Sequence, residues 1–337
     1  APSSLVERSA LALCLLGAVG ALLWARTVVG VSTVSIAFGV GMALGIAGDI
    51  DGTVTWRFTL SIPLTILFMA VAARDGRLAP QLTVLLILAA LGVANDARSN
   101  TAMLFLAAVV LIWQRIGAAT GTARRRAGNI IGVALFGVAV FFIAQAAILE
   151  GFFGEATRDR TQTQIDESGS LLLGGRPEIA ASDALIRLHP FGMGSGTIAS
   201  PADVTAAKSA MAAIGYDPNN NYVERFMFGG GIEVHSMLGD FWLWFGLPGL
   251  AVCAVIATIA GLGVERALRD GACTALAVYL ATRLGWDLVF SPAASAMKTL
   301  PLALVVLAVP VAAVIAGRSS GRQSRPREAA VVVRRGS

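Results

Sequence analysis

Four side chains have the chemistry to serve a reaction at a membrane surface: Arg98, Arg176, Arg187 and His235. A guanidinium stays charged at physiological pH and forks onto phosphate oxygens. An imidazole near neutral pH accepts a proton from a hydroxyl group. Together these residue types suit a reaction in which a phosphate-bearing group departs and a hydroxyl group attacks.

Two of these residues, Arg98 and His235, also have a purely structural interpretation. Arg98 lies at the lip of a predicted membrane helix, where it is either an anchor that snorkels to the interface or a ligand for a lipid phosphate. His235 directly precedes another predicted membrane helix, so it is either an interfacial residue or a group that accepts or steers a proton. His189 is interpreted as a helix stop, because Pro190 follows it.

The two remaining arginines flank one predicted helix, which spans 177–188 and is bounded by two prolines. Arg187 follows Arg176 by about three helical turns, so the two share a face with Asp183. They start about 16 Å apart along the helix axis, which favours Arg176 as the phosphate ligand and leaves Arg187 a weaker candidate. The alternative for Arg187 is a solvated pair with Asp183.

Arg283 and Asp287 are charged residues inside a predicted membrane helix, at i,i+4 spacing. Charges in such helices are costly and usually face protein or water. Pairing satisfies both partners, so we expect a structural ion pair. The alternative is that the two residues line a cavity in the outer half of the membrane.

Composition defines the elements that must position these residues. The chain is 56% hydrophobic and only 14% charged, with a mean hydropathy of +0.73, whereas soluble domains carry about 25% charged residues. A bilayer solvates such a surface and water does not. The net charge of +5 is explained by arginines at cytoplasmic helix ends, so we expect no nucleic acid partner. The three cysteines lie in apolar runs and only two histidines occur, so no disulfide framework, metal site or cofactor is expected.

About nine apolar stretches are long enough, or nearly so, to cross a hydrocarbon core about 30 Å thick. They cover 9–25, 27–48, 57–73, 78–94, 97–114, 128–149, 241–263, 271–290 and 299–317. The sequence therefore predicts an all-α, polytopic membrane protein: helices one to six in 1–149, a large loop domain with short helices in 150–240, helices seven to nine in 241–317, and a basic, disordered tail in 318–337. The chain opens with Ala-Pro-Ser-Ser and not with Met, and the sequence leaves open whether further helices precede it.

The positions of the basic residues predict the orientation. If the long loop lies outside, the short outside loops carry only Arg57, Arg98 and Lys298, and most other arginines between helices and in the tail lie inside. This asymmetry is typical of membrane proteins with that topology. The amino terminus is then outside and the tail is cytoplasmic.

Nucleotide-binding and hydrolase signatures are absent from the sequence, but a series of polar motifs occurs in a fixed order. The series consists of Arg98-Ser99, Gly175-Arg176, His189-Pro190-Phe191-Gly192-Met193-Gly194-Ser195-Gly196, His235-Ser236-x-Leu238 and, after Asp240, Gly246-Leu247-Pro248-Gly249. This series resembles the O-antigen ligase and O-antigen polymerase superfamily over roughly residues 80–260. Ser236 stands where that family usually has Asn.

The resemblance implies an all-helical membrane glycosyltransferase of the GT-C type in the bacterial cytoplasmic membrane. Such enzymes transfer a glycan from a polyprenyl diphosphate carrier to a glycan, lipid or protein acceptor outside that membrane, with no metal or nucleotide sugar. Carried over by position, Arg98 and Arg176 are diphosphate ligands, Arg187 is a weaker addition, and His235 is the base or acceptor-positioning group. Ligase and polymerase are not separated by these motifs.

Two other function classes stay open. In an enzyme of the related peptidoglycan polymerase type, an outside carboxylate replaces the histidine, and the candidates are Asp217, Glu224 and Glu233. A transporter or flippase of lipid-linked glycans needs polar residues in many helices, whereas the first, fourth and ninth predicted helices have almost none.

Overall fold

A computed structural model of the chain describes residues 2–47, 56–95, 97–119 and 176–308, together with positions 150, 155, 158–159 and 162–163. The described residues form helices and connections, without a strand. The predicted sixth membrane helix at 128–149, the Gly174-Gly175 turn beside Arg176, most of the first half of the loop domain and the tail lie outside the described residues.

Twelve α-helices and two π-helical turns make up the described residues. The α-helices are α1 Pro2–Val29, α2 Val31–Ala47, α3 Ser61–Ala72, α4 Leu78–Ala94, α5 Arg98–Ala119, α6 Glu178–Leu188, α7 Pro201–Ala213, α8 Met237–Phe245, α9 Leu247–Arg269, α10 Ala275–Phe290, α11 Ala293–Ala296 and α12 Leu300–Leu307. The π-helical turns are Trp56–Leu60 and Tyr222–Met227. The all-helical fold class predicted from composition is thus confirmed for these residues.

Three of the described helices are long and apolar enough to cross a membrane: Val6–Val29, Arg98–Ile116 and Leu247–Arg269. Their outward faces expose large apolar side chains, including Leu13, Leu16 and Trp24 on α1, each 69% exposed. Water penalises such exposure by about 25 cal/mol per Å² of apolar surface, whereas lipid does not. The chain therefore has the features of a membrane protein, and the count of nine crossings stays a prediction.

The predicted seventh helix, 241–263, is wrong in its bounds, because Gly246 interrupts it. Gly246 has φ +63°, in the left-handed region that favours glycine. It ends α8 at Phe245 and begins α9 at Leu247. A side chain at Gly246 would collide with the Phe191 carbonyl oxygen. The interruption thus accommodates a loop that lies 55 residues earlier in the chain.

Two opposite ends of the helical bundle are recognisable from contacts between its connections. At one end, Arg115 donates to the Gly76 carbonyl at 3.1 Å, Gln114 approaches the Ala267 carbonyl at 3.5 Å, and Arg26 donates to the Ala308 carbonyl at 2.9 Å. The connection after α3, which carries Arg74 and Arg77, therefore lies beside the ends of α5 and α9, which carry Arg115, Arg266 and Arg269.

The amino-terminal part of α1 contacts the loop domain at the other end. The Ser9 and Ser195 hydroxyls are 3.1 Å apart, and the Arg8 guanidinium lies 4.6 Å from the centre of a Trp244 ring. Arg8 and Arg26 are separated by about 27 Å along the helix, close to the thickness of a hydrocarbon core. The amino terminus and the described part of the loop domain therefore share one end, and the basic connections occupy the other.

Candidate functional site

A partly open pocket of about 170 Å³ lies at the loop end of the bundle. Three segments build it: the first turns of α6, the extended segment before α8 and the last turn of α10. Its lining residues are Arg176, Glu178, Ile179, Ser182, Val234, His235, Ser236, Val289 and Phe290. The pocket thus brings together two residues that the sequence predicts as functional, Arg176 and His235.

Arg176 directly precedes Pro177, which is the N-cap residue of α6. The Arg176 side chain lines the pocket. Its Nη1 donates to the Phe290 carbonyl at 3.1 Å, and its guanidinium carbon lies 5.2 Å from the Trp286 ring and 5.3 Å from the Phe290 ring. Aromatic faces and the last carbonyls of a helix both favour a cation. The charge is therefore held at the end of α10, and a guanidinium has further N–H groups with which to bind an anionic oxygen.

Glu178 follows Arg176 by two residues and also lines the pocket. Its carboxylate belongs to a buried residue, with only 7% of its surface exposed. One of its oxygens accepts a hydrogen bond from the Tyr222 hydroxyl. The other, Oε2, is buried and has no partner among the described residues. Burial and the neighbouring carboxylate raise the pKa of Tyr222, so its hydroxyl stays a donor. A buried carboxylate oxygen without a hydrogen-bond donor destabilises the fold, and a ligand that donates a hydrogen bond to it would remove this penalty.

His235 has an unusual backbone, with φ +51°, the only positive value at a non-glycine position among the described residues. This conformation costs about 1–3 kcal/mol and concentrates at functional sites. The ring lies 4.9 Å from the Tyr222 ring, and its Nδ1 is buried without a partner among the described residues. Burial, aided by the Arg176 charge, lowers the pKa of His235 despite opposing contributions from Glu178 and Glu233. The imidazole is therefore neutral at physiological pH and able to accept a proton.

Asp240 fixes the segment that carries His235. Its carboxylate is completely buried and accepts hydrogen bonds from the Val234 amide at 2.7 Å and the Ala293 amide at 2.8 Å. Ser236 donates to the Leu288 carbonyl at 3.2 Å and caps α8. Burial raises the pKa of Asp240 to about 7. These bonds tie the histidine segment to the end of α10 and to the turn after it.

The glycine-rich motif at 189–196 packs on the junction of α8 and α9. The amides of Met193 and Gly194 donate to the Leu243 carbonyl at 2.6 and 3.2 Å. Gly192 has φ +84°, and a side chain there would lie 2.6 Å from the Trp242 carbonyl oxygen. The motif therefore serves as a backbone support for the helix that follows His235, which explains its need for glycine.

His189 ends α6, as predicted, and also joins α6 to α7. Its Nε2 lies 2.7 Å from the Asp203 carboxylate, which forms a capping box with Ser200 at the start of α7. Burial works to raise the pKa of Asp203, but hydrogen bonds from His189 and Ser200 outweigh it and lower that pKa. The pair of His189 and Asp203 therefore stabilises the hairpin of α6 and α7. Neither residue of the pair lines the pocket.

The other predicted site residues are not in the pocket lining. Arg187 lies on the exposed face of α6, with 78% of its side chain accessible, and pairs with Asp183 at 2.8 Å. Arg98 begins α5. Arg283 grips both oxygens of Asp287, at 3.0 and 2.9 Å. The predicted pairing of Arg283 with Asp287 is therefore present, and the geometry favours its structural interpretation.

None of the three candidate carboxylates of the alternative enzyme class lines the pocket. Asp217 is exposed and caps a turn through the Asn219 amide. Glu224 pairs with Lys208 on the surface. Glu233 acts on His235 only through the backbone and its charge. The carboxylate that lines the pocket is Glu178, which was not among the residues predicted from the sequence. Its only signal in the sequence is its place just after Pro177, where an acidic residue favours the start of a helix.

Comparison with known proteins identifies no relative: the chain matches no family model, and neither curated proteins nor solved structures show a significant match to it.

Proposed function

We propose that the protein transfers a glycan from a polyprenyl diphosphate to an acceptor hydroxyl at the outer face of a bacterial cytoplasmic membrane, without a metal ion. One observation carries the proposal. Arg176 and His235 come from segments about 60 residues apart, yet they line the same small pocket. Arg176 supplies a fixed cation for a leaving diphosphate, and His235 supplies an imidazole whose Nδ1 has no partner among the described residues and serves to take up a hydroxyl proton.

The proposed step is a direct displacement. The acceptor oxygen attacks the anomeric carbon, the bond from that carbon to the diphosphate oxygen breaks, and the hydroxyl proton passes to His235. Arg176 compensates the negative charge that grows on the departing diphosphate. Fixed donors in a site poor in water stabilise such charge far better than solvent does.

The geometry narrows the set of phosphate ligands. Arg187 is solvated and engaged by Asp183, so Arg176 is the arginine that we assign to the diphosphate. Arg98 does not line the pocket, and its role as a second ligand rests on its position in the sequence alone. A pocket of about 170 Å³ is small beside a lipid-linked glycan, so the polyprenyl chain and most of the glycan lie outside it.

The distribution of arginines supports the outer face as the site of reaction. The pocket lies at the end of the bundle opposite the arginines at the ends of α5 and α9 and after α3. Clustered arginines between helices are typical of the cytoplasmic side. On this basis we propose the predicted arrangement of about nine crossings, with the region 150–240 outside. Ligase and polymerase activities use the same step and are both compatible with the pocket.

The test is a transfer assay in proteoliposomes that contain the purified chain and lipid-linked glycans extracted from the organism's own membranes. Arg176→Ala removes the cation and lowers the rate at least a hundredfold. His235→Asn also lowers it at least a hundredfold, because asparagine tolerates the left-handed backbone but does not act as a general base at this pH. Arg225→Ala, an exposed arginine of the same loop domain, serves as the matched control and stays within twofold.

Normal transfer by both pocket variants would refute the proposal, and so would the movement of lipid-linked glycan across the vesicle membrane without any covalent product. The carboxylate-dependent class remains a second candidate, since Glu178 is buried beside the same arginine. That class predicts that Glu178→Gln abolishes transfer while His235→Asn leaves it unchanged.

A further inference from the structure

Glu178 and His235 both line the pocket, and each has one buried side-chain atom without a hydrogen-bond partner among the described residues. These atoms are Oε2 of Glu178 and Nδ1 of His235. The Tyr222 side chain lies between the two residues, because its hydroxyl bonds to the Glu178 carboxylate and its ring lies 4.9 Å from the imidazole. The proposed reaction uses only one of the two atoms, the imidazole nitrogen.

The electrostatics of the pocket restrict what satisfies Oε2. At Oε2 itself an anion is repelled by the carboxylate, so the diphosphate binds at the Arg176 side of the pocket, and a cation is repelled by Arg176. A neutral donor is compatible with both charges. A hydroxyl group is the simplest neutral donor, and it also offers an oxygen to the arginine.

We propose that Glu178 binds a second, non-reacting hydroxyl of the acceptor, next to the hydroxyl whose proton passes to His235. This inference rests on the proposed function and names its acceptor class: a sugar ring or other polyol with two neighbouring hydroxyls, in preference to a lone alcohol such as a serine side chain. Glu178 is thus a specificity-determining residue, and Tyr222 positions it by occupying its other oxygen.

The magnitude follows from the chemistry of the bond. A hydrogen bond to a charged group contributes about 1.5–3 kcal/mol, which corresponds to roughly a ten- to hundredfold change in affinity. A site built to bind a hydroxyl rejects a ligand that lacks it by at least that factor, because its buried acceptor is then left unpaired.

The experiment measures binding, so it does not depend on transfer. Saturation-transfer NMR on the full chain in detergent micelles gives the affinities of methyl α-glucoside, methyl α-mannoside and methyl α-galactoside and of their monodeoxy analogues. Glu178→Gln preserves the shape of the side chain and removes its charge. Asp183→Asn, an exposed carboxylate on the same helix, is the matched control. Size-exclusion chromatography checks that each variant is folded.

For at least one glycoside and one hydroxyl position, we expect removal of the hydroxyl to weaken wild-type binding at least tenfold. The same removal has less than a threefold effect in Glu178→Gln, which is the signature of a direct contact in a double-mutant cycle. Asp183→Asn behaves like wild type. Additive losses at every hydroxyl, or no measurable binding of any glycoside to the wild type, would overturn the inference. Glu178-dependent binding without any glycan transfer in the proteoliposome assay would instead count against the proposed function alone.

Discussion

Replacing Asp240 tests whether the histidine segment is held as the structure describes. Its carboxylate is fully buried and accepts two backbone hydrogen bonds, from Val234 and from Ala293. The first bond fixes the residue next to His235, and the second fixes the turn after α10. Asp240→Asn keeps the size of the side chain but presents an amide N–H group to one of these two donors.

The expected loss of stability follows from the number of amides left without a partner. An unsatisfied buried donor costs about 1–3 kcal/mol. Asp240→Asn deprives one amide of its acceptor, so we expect a destabilisation of about 1–3 kcal/mol. Asp240→Ala deprives both and is expected to cost about 2–6 kcal/mol. Asp183→Asn, on an exposed surface, is the control and stays within about 0.5 kcal/mol.

The pH dependence of this effect has a defined sign. Burial raises the pKa of Asp240 to about 7, above the value of about 3.9 for an unfolded chain. A group whose folded pKa is raised contributes stability that is complete below its unfolded pKa and is lost as the pH rises through its folded pKa. The difference in stability between wild type and Asp240→Asn should therefore be larger at pH 5 than at pH 8.

Hydrogen exchange on the detergent-solubilised chain measures the effect locally. The opening free energies of the Val234 and Ala293 amides should both fall in Asp240→Asn, and the transfer rate should fall with them because His235 loses its fixed position. Unchanged protection of both amides, or a larger difference at pH 8 than at pH 5, would show that the carboxylate does not hold this segment.

Three further predictions concern proton transfer, the buried ion pair and orientation. Because burial lowers the pKa of His235, its neutral form contributes stability above pH 6.5 that is lost as the pH falls through the folded pKa. In wild type, the transfer rate and the melting temperature should therefore both decline in acid. The melting temperature of His235→Asn should lack this decline. Identical dependence of the melting temperature on pH in wild type and variant would contradict the assignment. Asp287→Ala leaves Arg283 buried without its partner and should cost about 3–5 kcal/mol, whereas a paired replacement of both by leucine should cost less; a double variant less stable than the single one would argue against a structural pair. In intact cells, a membrane-impermeant maleimide should label Asp183→Cys, but should label Arg269→Cys only after permeabilisation, and the reverse pattern would invert the topology.

The sequence predicts individual helices where their apolar runs are bounded locally. The predicted span 78–94 matches α4 in both bounds, since Arg77 and Asn95 flank a run without charged residues. The prediction fails at 241–263, because the interruption at Gly246 results from contact with Phe191. Periodicity and hydropathy describe neighbours along the chain, so they give no sign of a packing partner that lies 55 residues away.

The same distinction applies to the site. Arg176 is predicted from its chemistry and its place at the start of the loop helix, and His235 from its place before an apolar helix. The structure brings them to one pocket. Glu178 and Tyr222 are missed because their importance depends on burial and on a contact across 44 residues. Arg187 has suitable chemistry, but its helix face is turned to solvent, and a helix register alone does not show which face is covered.

The central claim is that the diphosphate of a lipid-linked glycan binds beside Arg176, with the acceptor hydroxyl at His235. The most direct measurement is a cryo-electron microscopy structure of the chain with a bound polyprenyl diphosphate in a lipid nanodisc. We predict phosphate density within about 3 Å of the Arg176 guanidinium, at the end of the bundle that holds the pocket. Diphosphate density at the opposite end, near Arg74, Arg115 and Arg269, would contradict the account.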